Sequence, residues 1–297
     1  MENKELTIPV RTPYLWSALI TFLEDRAIHG AETVIDDVYH RTLAVDGHAG
    51  WFSVSFGAES SALALTISGS LAPVTDRVVK RVMDLFDTHA DPQAVHEHLG
   101  SLADLDPQMP APGLRVPGAA DPFEMGVRAV LGQQITVAAA RTIASRLAHD
   151  LGEPITTPIP GLDRIFLQPE RVVALRDAPE DTLGALGVTR NKSRAIAALA
   201  HALLDGPITL SPDEDVELQK SRLLALFGFG PWTVDYVALR SLKDPDILLH
   251  TDYGVKLLFP DTEPARIVEH GKAWAPYRSY ATMNIWHLLS RRGEDDG

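Results

Sequence analysis

A short segment between two apolar helical runs, FGFGPW at residues 227–232, constrains this chain most. Two glycines flank one apolar residue, and Pro231 follows them directly. Glycine allows a tight turn because it lacks a Cβ atom, and proline is tolerated at the first helical position, where the amide has no helical partner. The second helix would present free amides and the positive end of its dipole, which favour a phosphate. The segment therefore predicts a helix-hairpin-helix that binds DNA.

Gly-x-Gly also ends many ordinary helices, so a plain helix–turn–helix link remains the alternative for this segment alone. A dinucleotide-binding fingerprint does not fit, because Thr233 stands where that motif needs a third glycine and no strand pattern precedes the turn.

The composition is that of an ordinary globular protein. The 297 residues suffice for about two domains, with 45% hydrophobic and 23% charged residues. No apolar run approaches the roughly 18 residues of a membrane span, and the N-terminus lacks a hydrophobic signal core, so we expect a cytoplasmic protein. The chain contains no cysteine, which excludes disulfides, thiolate metal sites and a cysteine-ligated iron–sulfur cluster.

The net charge of −13 argues against a protein that coats nucleic acid along its whole surface. Acidic residues gather at 213–215 and 294–296. Seven basic residues concentrate around the hairpin and predict a local cationic face, although each alone can equally be a solvated surface charge: Arg190, Lys192, Arg194, Lys220, Arg222, Arg240 and Lys243.

The first hundred residues mix helical and strand periods. Residues 14–27 fit an amphipathic helix, and residues 42–45, 51–56 and 62–68 fit short strands. Pro73 introduces a further helix with an apolar face. Residues 1–100 therefore predict an α+β domain, in which helices back a small antiparallel sheet. Residues 101–120, with four prolines, predict the connection to a second domain.

Residues 121–297 predict an all-helical domain. Asp121-Pro122-Phe123-Glu124 has the pattern of a capping box, and a long helix is expected from there to about His149. Ser211-Pro212-Asp213-Glu214 predicts the same start for the helix that enters the hairpin. Further helices are expected at about 170–177, 180–186, 190–205, 231–242, 252–258, 263–271 and 276–291.

Asp252 lies 20 residues beyond Trp232, at the start of another amphipathic helix. Aspartate is common at helix N-caps, and that structural role is compatible with a chemical one. A carboxylate held beside an apolar pocket can stabilise the positive charge that develops on a sugar during glycosidic bond cleavage.

Four aromatic residues accompany this acid: Trp232, Tyr236, Tyr253 and Trp286. Each taken singly fits core packing. Together they could sandwich a flipped base, with stacking worth roughly 1–3 kcal/mol per base. A cationic alkylated purine would gain a further cation–π contribution of about 0.5–2 kcal/mol.

These features resemble those of the helix-hairpin-helix (HhH-GPD) DNA glycosylases, in particular the branch of bacterial 3-methyladenine DNA glycosylase II (AlkA). The resemblance extends over nearly the whole chain. It rests on six segments: PYLWSALITFLEDRAI, ETV, DPFEMGVRAVLGQQITVAAA, FGFGPWTVDYVALR, TDY and PYRSYATMNIW. It implies an N-terminal domain like the TATA-binding protein and an all-α domain that carries the active cleft.

The resemblance also implies residue roles. Asp252 corresponds to the catalytic aspartate. The base pocket would be lined by Trp232, Tyr236, Tyr253, Trp286, Phe22 and Arg26. DNA would be contacted by Gln134, Gly228, Phe229, Gly230 and Thr233. A monovalent cation such as Na⁺ would bind the backbone carbonyls of Leu224, Leu226 and Phe229, and no other cofactor is implied.

Three positions bear on the mechanism that the resemblance implies. Trp232 occupies the place of the lysine nucleophile in family members with lyase activity, so strand cleavage is not expected. Gln134 replaces the leucine that fills the gap left by the flipped base. Leu258 stands where the branch has an arginine near the aspartate.

We therefore expect a monofunctional, monomeric enzyme of the bacterial cytoplasm and nucleoid that excises alkylated bases from double-stranded DNA. Two alternatives remain open from the sequence, namely a non-catalytic DNA-structure binder that keeps the hairpin and a glycosylase for another lesion such as hypoxanthine.

Overall fold

The computed structural model describes residues 2–175 and 179–293. Its first part is an antiparallel sheet in the spatial order β1-β5-β4-β3-β2. The strands are β1 (Lys4–Pro9), β2 (Glu32–Ile35), β3 (Val38–Val45), β4 (His48–Gly57) and β5 (Ala62–Ile67).

Alternating apolar residues set the register of the central strands. Phe52 lies opposite Ile67 and Val54 opposite Leu65, and all four side chains are buried. The other face of each strand is more exposed, as expected when one side of a sheet covers a core. The three predicted strands are confirmed within a few residues. The edge strands β1 and β2 were not predicted, because β1 buries only Ile8 and β2 has four residues.

Two helices cover the buried face of this sheet. Helix α1 (Trp16–Asp25) follows the predicted amphipathic pattern and buries Phe22 among other residues. Helix α2 (Thr75–Leu85) begins two residues after Pro73, which itself lies in a 3-10 turn. A short helix, α3 (Pro92–His98), was not predicted.

Residues 101–120, between the two predicted domains, begin in a 3-10 turn (Gly100–Asp104) and continue in turns and irregular backbone. Leu114 and Val116 are buried in the same core as the sheet, and Gly118 N donates to Leu85 O at 2.9 Å. The domain limits at 100 and 120 remain predictions.

The second part, as far as it is described, is mainly helical and contains one small ladder, in which β6 (Glu153–Pro154) pairs with β7 (Arg164–Ile165). The helices are α4 (Pro122–Leu131), α5 (Val137–Leu151), α6 (Pro169–Val173), α7 (Pro179–Ala185), α8 (Arg190–Leu204), α9 (Val216–Leu224), α10 (Pro231–Arg240), α11 (Tyr253–Leu257), α12 (Pro264–Gly271) and α13 (Arg278–Arg292).

The predicted long helix from Asp121 to His149 is wrong. It is two helices, α4 and α5, which are separated by residues 132–136. Gln134 has φ +58° in this interruption, and Thr136 caps α5 by accepting from Ala139 N. A left-handed residue followed by a new N-cap cannot continue the α4 helix.

The two predicted capping boxes have different outcomes. Asp121 caps α4 by accepting from Glu124 N at 3.0 Å, but the Glu124 side chain pairs with arginines instead of reaching back. The box predicted at 211–214 is wrong, because the N-cap of α9 is Asp215, which accepts from Leu218 N.

The acidic group at 294–296 and the last two residues of the helix expected at 170–177 lie outside the described residues. Within them, that helix, α6, ends at Val173. None of the described helices has the length and hydropathy to cross a membrane.

The core has two clusters of buried side chains. One joins the sheet, α1 and α2 to the C-terminal helices, so α13 packs against the N-terminal part of the chain. The other lies among α4, α5, α8, α9 and α10. Tyr236 on α10 packs against both clusters.

Candidate active site

The hairpin forms as the glycine pattern predicts. Helix α9 ends at Leu224, and α10 begins at Pro231 with Gly230 as its N-cap. Gly228 has φ +80°, and a Cβ atom there would lie 2.7 Å from the Cβ of Ala195, so this position requires glycine on two grounds. A Cβ on Gly230 would meet no described atom within 4 Å.

The N-terminus of α10 receives no side-chain cap from the described residues. Its first amides therefore remain available to an anion approaching from outside, where the helix dipole favours negative charge. Phe229, between the two glycines, is buried and anchors the turn in the helical core.

Asp252 is both a helix cap and a fixed carboxylate. Its Oδ1 accepts from Gly254 N at 3.0 Å, which caps α11, and from Trp286 Nε1 at 2.9 Å. Its Oδ2 accepts from Trp232 Nε1 at 3.0 Å. Donors from three separate elements thus orient the two oxygens. Asp252 can therefore act both as the N-cap of α11 and as the carboxylate that stabilises charge on the sugar.

The aromatic side chains form a continuous wall beside this carboxylate. Trp232 stacks on Tyr236, with ring centroids 5.4 Å apart and planes at 21°. Tyr236 lies 6.2 Å from Trp286, which stacks with Phe22 at 6.3 Å and 19°. Tyr253 differs, since 59% of its surface is exposed and it stands at the edge of the site.

These groups line one cavity of about 1110 Å³. Gln134 lies on the same cavity, together with Gly228 and Gly230 of the hairpin and Thr233 of α10. The structure therefore brings together around one opening the predicted acid, the predicted pocket residues and four of the five predicted DNA contacts. The fifth, Phe229, is buried in the helical core beneath the turn. Leu258 does not line the cavity either.

Two arginines border the inner part of the cavity. The guanidinium carbon of Arg26 lies 3.8 Å from the centre of the Phe22 ring. Arg240 is 3% exposed and donates to the Pro117 and Gly118 carbonyls and, at 3.0 Å, to the Tyr236 hydroxyl. Burial lowers the pKa of Arg240. The Tyr236 oxygen accepts this bond, which leaves its own O–H as a donor.

A buried ion-pair network borders the same cavity. Arg41 pairs with Glu32 and Glu124, and Arg128 pairs with the same two carboxylates. Burial acts to raise the pKa of Glu32, but the charges of Arg128 and Arg41 outweigh it and lower the pKa to about 2. The network joins β2 and β3 to α4, and Arg128 also donates to the carbonyl of Arg26 at 2.5 Å.

This network, the contacts of Gln133 and the inward position of Arg240 were not predicted from the sequence. Glutamate and arginine on neighbouring short strands normally indicate exposed pairs, so only the packing of α4 against them reveals their burial. The expected cationic face is also smaller than predicted, because Arg240 and Lys243 point inward, Lys243 towards Asp87 at 2.9 Å.

At the expected cation site, the Leu226 carbonyl accepts from Phe229 N at 3.2 Å. The carbonyls of Leu224 and Leu226 flank the turn, and cation binding there remains a prediction.

Comparisons with known proteins agree with this arrangement. A model of the AlkA N-terminal domain matches residues 5–121, and a model of the HhH-GPD superfamily base excision DNA repair protein matches residues 127–278. The chain belongs to the HhH-GPD superfamily. The predicted family and fold class are confirmed.

This HhH-GPD chain is 36% identical to DNA-3-methyladenine glycosylase 2 of Escherichia coli (strain K12), over 95% of this chain and 96% of the relative. It is 33% identical to a probable bifunctional transcriptional activator/DNA repair enzyme AlkA of Mycobacterium tuberculosis, over 96% of this chain but 57% of that longer relative. The solved structure of a 3-methyladenine DNA-glycosylase from Archaeoglobus fulgidus shares the fold, with a TM-score of 0.74, 17% identity and 98% coverage of both chains.

Proposed function

We propose that this HhH-GPD chain is a monofunctional DNA glycosylase that excises alkylated bases, such as 3-methyladenine and 7-methylguanine, from duplex DNA and leaves an abasic site. The observation that carries the proposal is Asp252, whose two oxygens are held by two indole N–H groups at an aromatic cavity. The name of the Escherichia coli relative supports the choice of lesion class.

Recognition begins with rotation of the damaged nucleotide out of the stack, which costs a few kcal/mol and is easiest at a weakened pair. The rings of Trp232, Tyr236, Trp286 and Phe22 offer the extruded base stacking surfaces. A methylated purine with a positive charge gains additional attraction to those ring faces. Arg26 and Tyr236 offer donors to the acceptor edge of the base.

Bond cleavage then needs little acid catalysis, because a cationic base leaves as a neutral molecule. The sugar acquires oxocarbenium character, and the Asp252 carboxylate stabilises that charge in a site of low dielectric. The two indole donors keep the carboxylate oriented before the reaction, so no reorganisation is required when the charge develops. Asp252 also orients the water that attacks the sugar.

The hairpin would bind the DNA backbone through the first amides of α10, next to Gly228, Phe229 and Gly230. Gln134 would fill the gap left by the extruded nucleotide. We also propose that a monovalent cation such as Na⁺ binds the carbonyls of Leu224, Leu226 and Phe229 and stiffens this turn. We also propose that the protein acts on DNA as a monomer, in the cytoplasm and nucleoid.

We propose that the enzyme has no lyase activity. An amine nucleophile attacks the sugar to form a Schiff base, and the indole of Trp232 at that position cannot do so. Asp252 and Trp232 instead form a hydrogen-bonded pair suited to hydrolysis alone.

The proposal is tested by incubating methylated duplex DNA with the wild type and with Asp252→Asn. Released labelled bases and alkali-sensitive abasic sites are measured, together with binding to a duplex that contains an abasic analogue. We expect release by the wild type, loss of release by at least about a thousandfold in Asp252→Asn, and binding by both. Binding without any release by the wild type would identify a non-catalytic DNA-structure binder. Full release by Asp252→Asn would remove this residue from the mechanism.

A further inference from the structure

The interruption between α4 and α5, residues 132–136, is here called the wedge loop because it carries Gln134. The side chain of the preceding residue, Gln133, crosses from this loop to the hairpin. Its Nε2 donates to the Gly228 carbonyl at 3.0 Å and to Thr233 Oγ1 at 2.8 Å. One amide group therefore ties the wedge loop to both sides of the DNA-binding turn.

The side chain of Lys192, on helix α8, contacts the same loop. Lys192 Nζ donates to the carbonyls of Leu131 and Gln133, each at 2.8 Å. These carbonyls end α4, where a positive charge also complements the helix dipole. Lys192 thereby fixes the backbone on the N-terminal side of Gln134.

Helix α8 is the common support of the loop and the hairpin. It carries Lys192, and one turn later it carries Ala195, whose Cβ faces the Cα of Gly228. Each of the three segments, the wedge loop, the hairpin and α8, thus contacts the other two. Gln134 has a left-handed backbone that glutamine rarely adopts, and such a conformation persists where neighbouring contacts impose it.

We propose that Gln133 and Lys192 are positioning residues that hold the wedge residue Gln134 in register with the hairpin. Gln133 and Lys192 thereby couple two steps of DNA binding. When a DNA phosphate binds to the hairpin, Gln134 is already positioned to enter the base stack. The proposal rests on the proposed glycosylase function. It assigns neither residue a contact with the base or the sugar.

This coupling should affect the rate of base release only when the damaged base is paired and must be rotated out of the duplex. We therefore compare two substrates with the same 7-methylguanine strand. In one duplex the lesion is paired with cytosine, and in the other the opposing nucleotide is missing, so that the lesion lies in a one-base bulge. Single-turnover release rates are measured for both, with the melting temperature of each variant as a check on folding.

Gln133→Met keeps the side-chain length and removes both hydrogen bonds. We expect about tenfold slower release from the paired substrate and less than about a twofold change on the bulge. Lys192→Met should shift the ratio of the two rates in the same direction. Gln93→Met, on the exposed helix α3, is the matched control and should change neither rate. An equal loss on both substrates, or no loss, would overturn the proposal.

A double-mutant cycle separates positioning from a general loss of stability. Gln134→Ala removes the wedge itself, and Gln133→Met combined with it should be no slower than Gln134→Ala alone. Effects that multiply would show independent roles and contradict the coupling. A wild type that releases base from neither substrate would instead refute the proposed function, so the two failures are distinguishable.

Discussion

The indole nitrogen of Trp286 donates to Asp252 Oδ1 across 2.9 Å, which connects the C-terminal helix α13 to the start of α11. The same indole stacks against Phe22 of α1. The orientation of one carboxylate thus depends on packing between the N-terminal sheet domain and two helices of the second part. Distant substitutions that shift α13 should therefore affect the chemistry.

Trp286→Phe tests the value of this hydrogen bond, because it keeps an aromatic ring and removes the donor nitrogen. It also removes one ring of the indole, a loss of volume that Trp274→Phe reproduces. A hydrogen bond to a charged group contributes about 1.5–3 kcal/mol, so single-turnover base release should fall roughly 10- to 100-fold. Stacking of the base should persist, and the affinity for DNA with an abasic analogue should change little.

Trp274→Phe is the matched control for this substitution. Trp274 is buried in the same core cluster but packs against Phe259, away from the cavity. Its replacement should cost stability without slowing base release. If both variants slow release by the same factor, the effect comes from core packing and the Trp286–Asp252 bond has no special role.

The features that the sequence predicted well are those set by local physics. The alternation in β5 and the glycines of the hairpin each act within a few residues, and both produced the expected structure. Local spacing made Asp252, at the start of a helix, and Trp232 and Tyr236, four apart on another, candidates for the site. Phe22, Arg26 and Gln134 were predicted only from the family resemblance.

The features that the sequence did not predict arise from contacts between distant segments. Residues 121–149 have a continuous helical pattern, and the break at 132–136 is held by Gln133 and Lys192 through contacts with α8 and the hairpin. The burial of Glu32 likewise depends on Arg128, 96 residues away. Neither contact changes the local pattern of apolar residues from which helices and strands are predicted.

The two hairpin glycines should respond differently to alanine. Gly228→Ala places a methyl group against Ala195 and forces a left-handed backbone on alanine, so we expect a loss of roughly 2–4 kcal/mol in the free energy of unfolding. Gly230→Ala has a negative φ and open space, so its stability should stay within about 1 kcal/mol of the wild type. Urea unfolding measures both.

The affinity of Gly230→Ala for duplex DNA should be reduced although its stability is not. The methyl group of Gly230→Ala stands where a phosphate would approach the amides of α10, and we expect about tenfold weaker binding from the loss of about one hydrogen bond. If Gly230→Ala binds DNA like the wild type, the phosphate does not sit on this turn.

The buried network predicts how stability depends on pH. The folded pKa of Glu32 is about 2, against 4.5 as the ordinary value, so its ionisation stabilises the folded state above pH 4.5. A shift of this size corresponds to about 3 kcal/mol, which is lost as the pH falls from about 4.5 to about 2. The difference in unfolding free energy between the wild type and Glu32→Gln should therefore be constant near neutral pH and shrink across that window. Glu5→Gln, at an exposed position on β1, should show no such trend.

Trp232→Lys should give the site the ability to form a covalent adduct with DNA. A lysine there would place an amine beside Asp252, where the indole nitrogen now lies 3.0 Å from Oδ2. An amine next to the sugar carbon of an abasic site forms a Schiff base, which borohydride reduces to a stable protein–DNA adduct. We expect this adduct from Trp232→Lys and none from the wild type, measured on a denaturing gel. An adduct with the wild type would contradict the assignment of hydrolysis alone, and its loss in Lys192→Met would identify the cavity-lining lysine as the nucleophile.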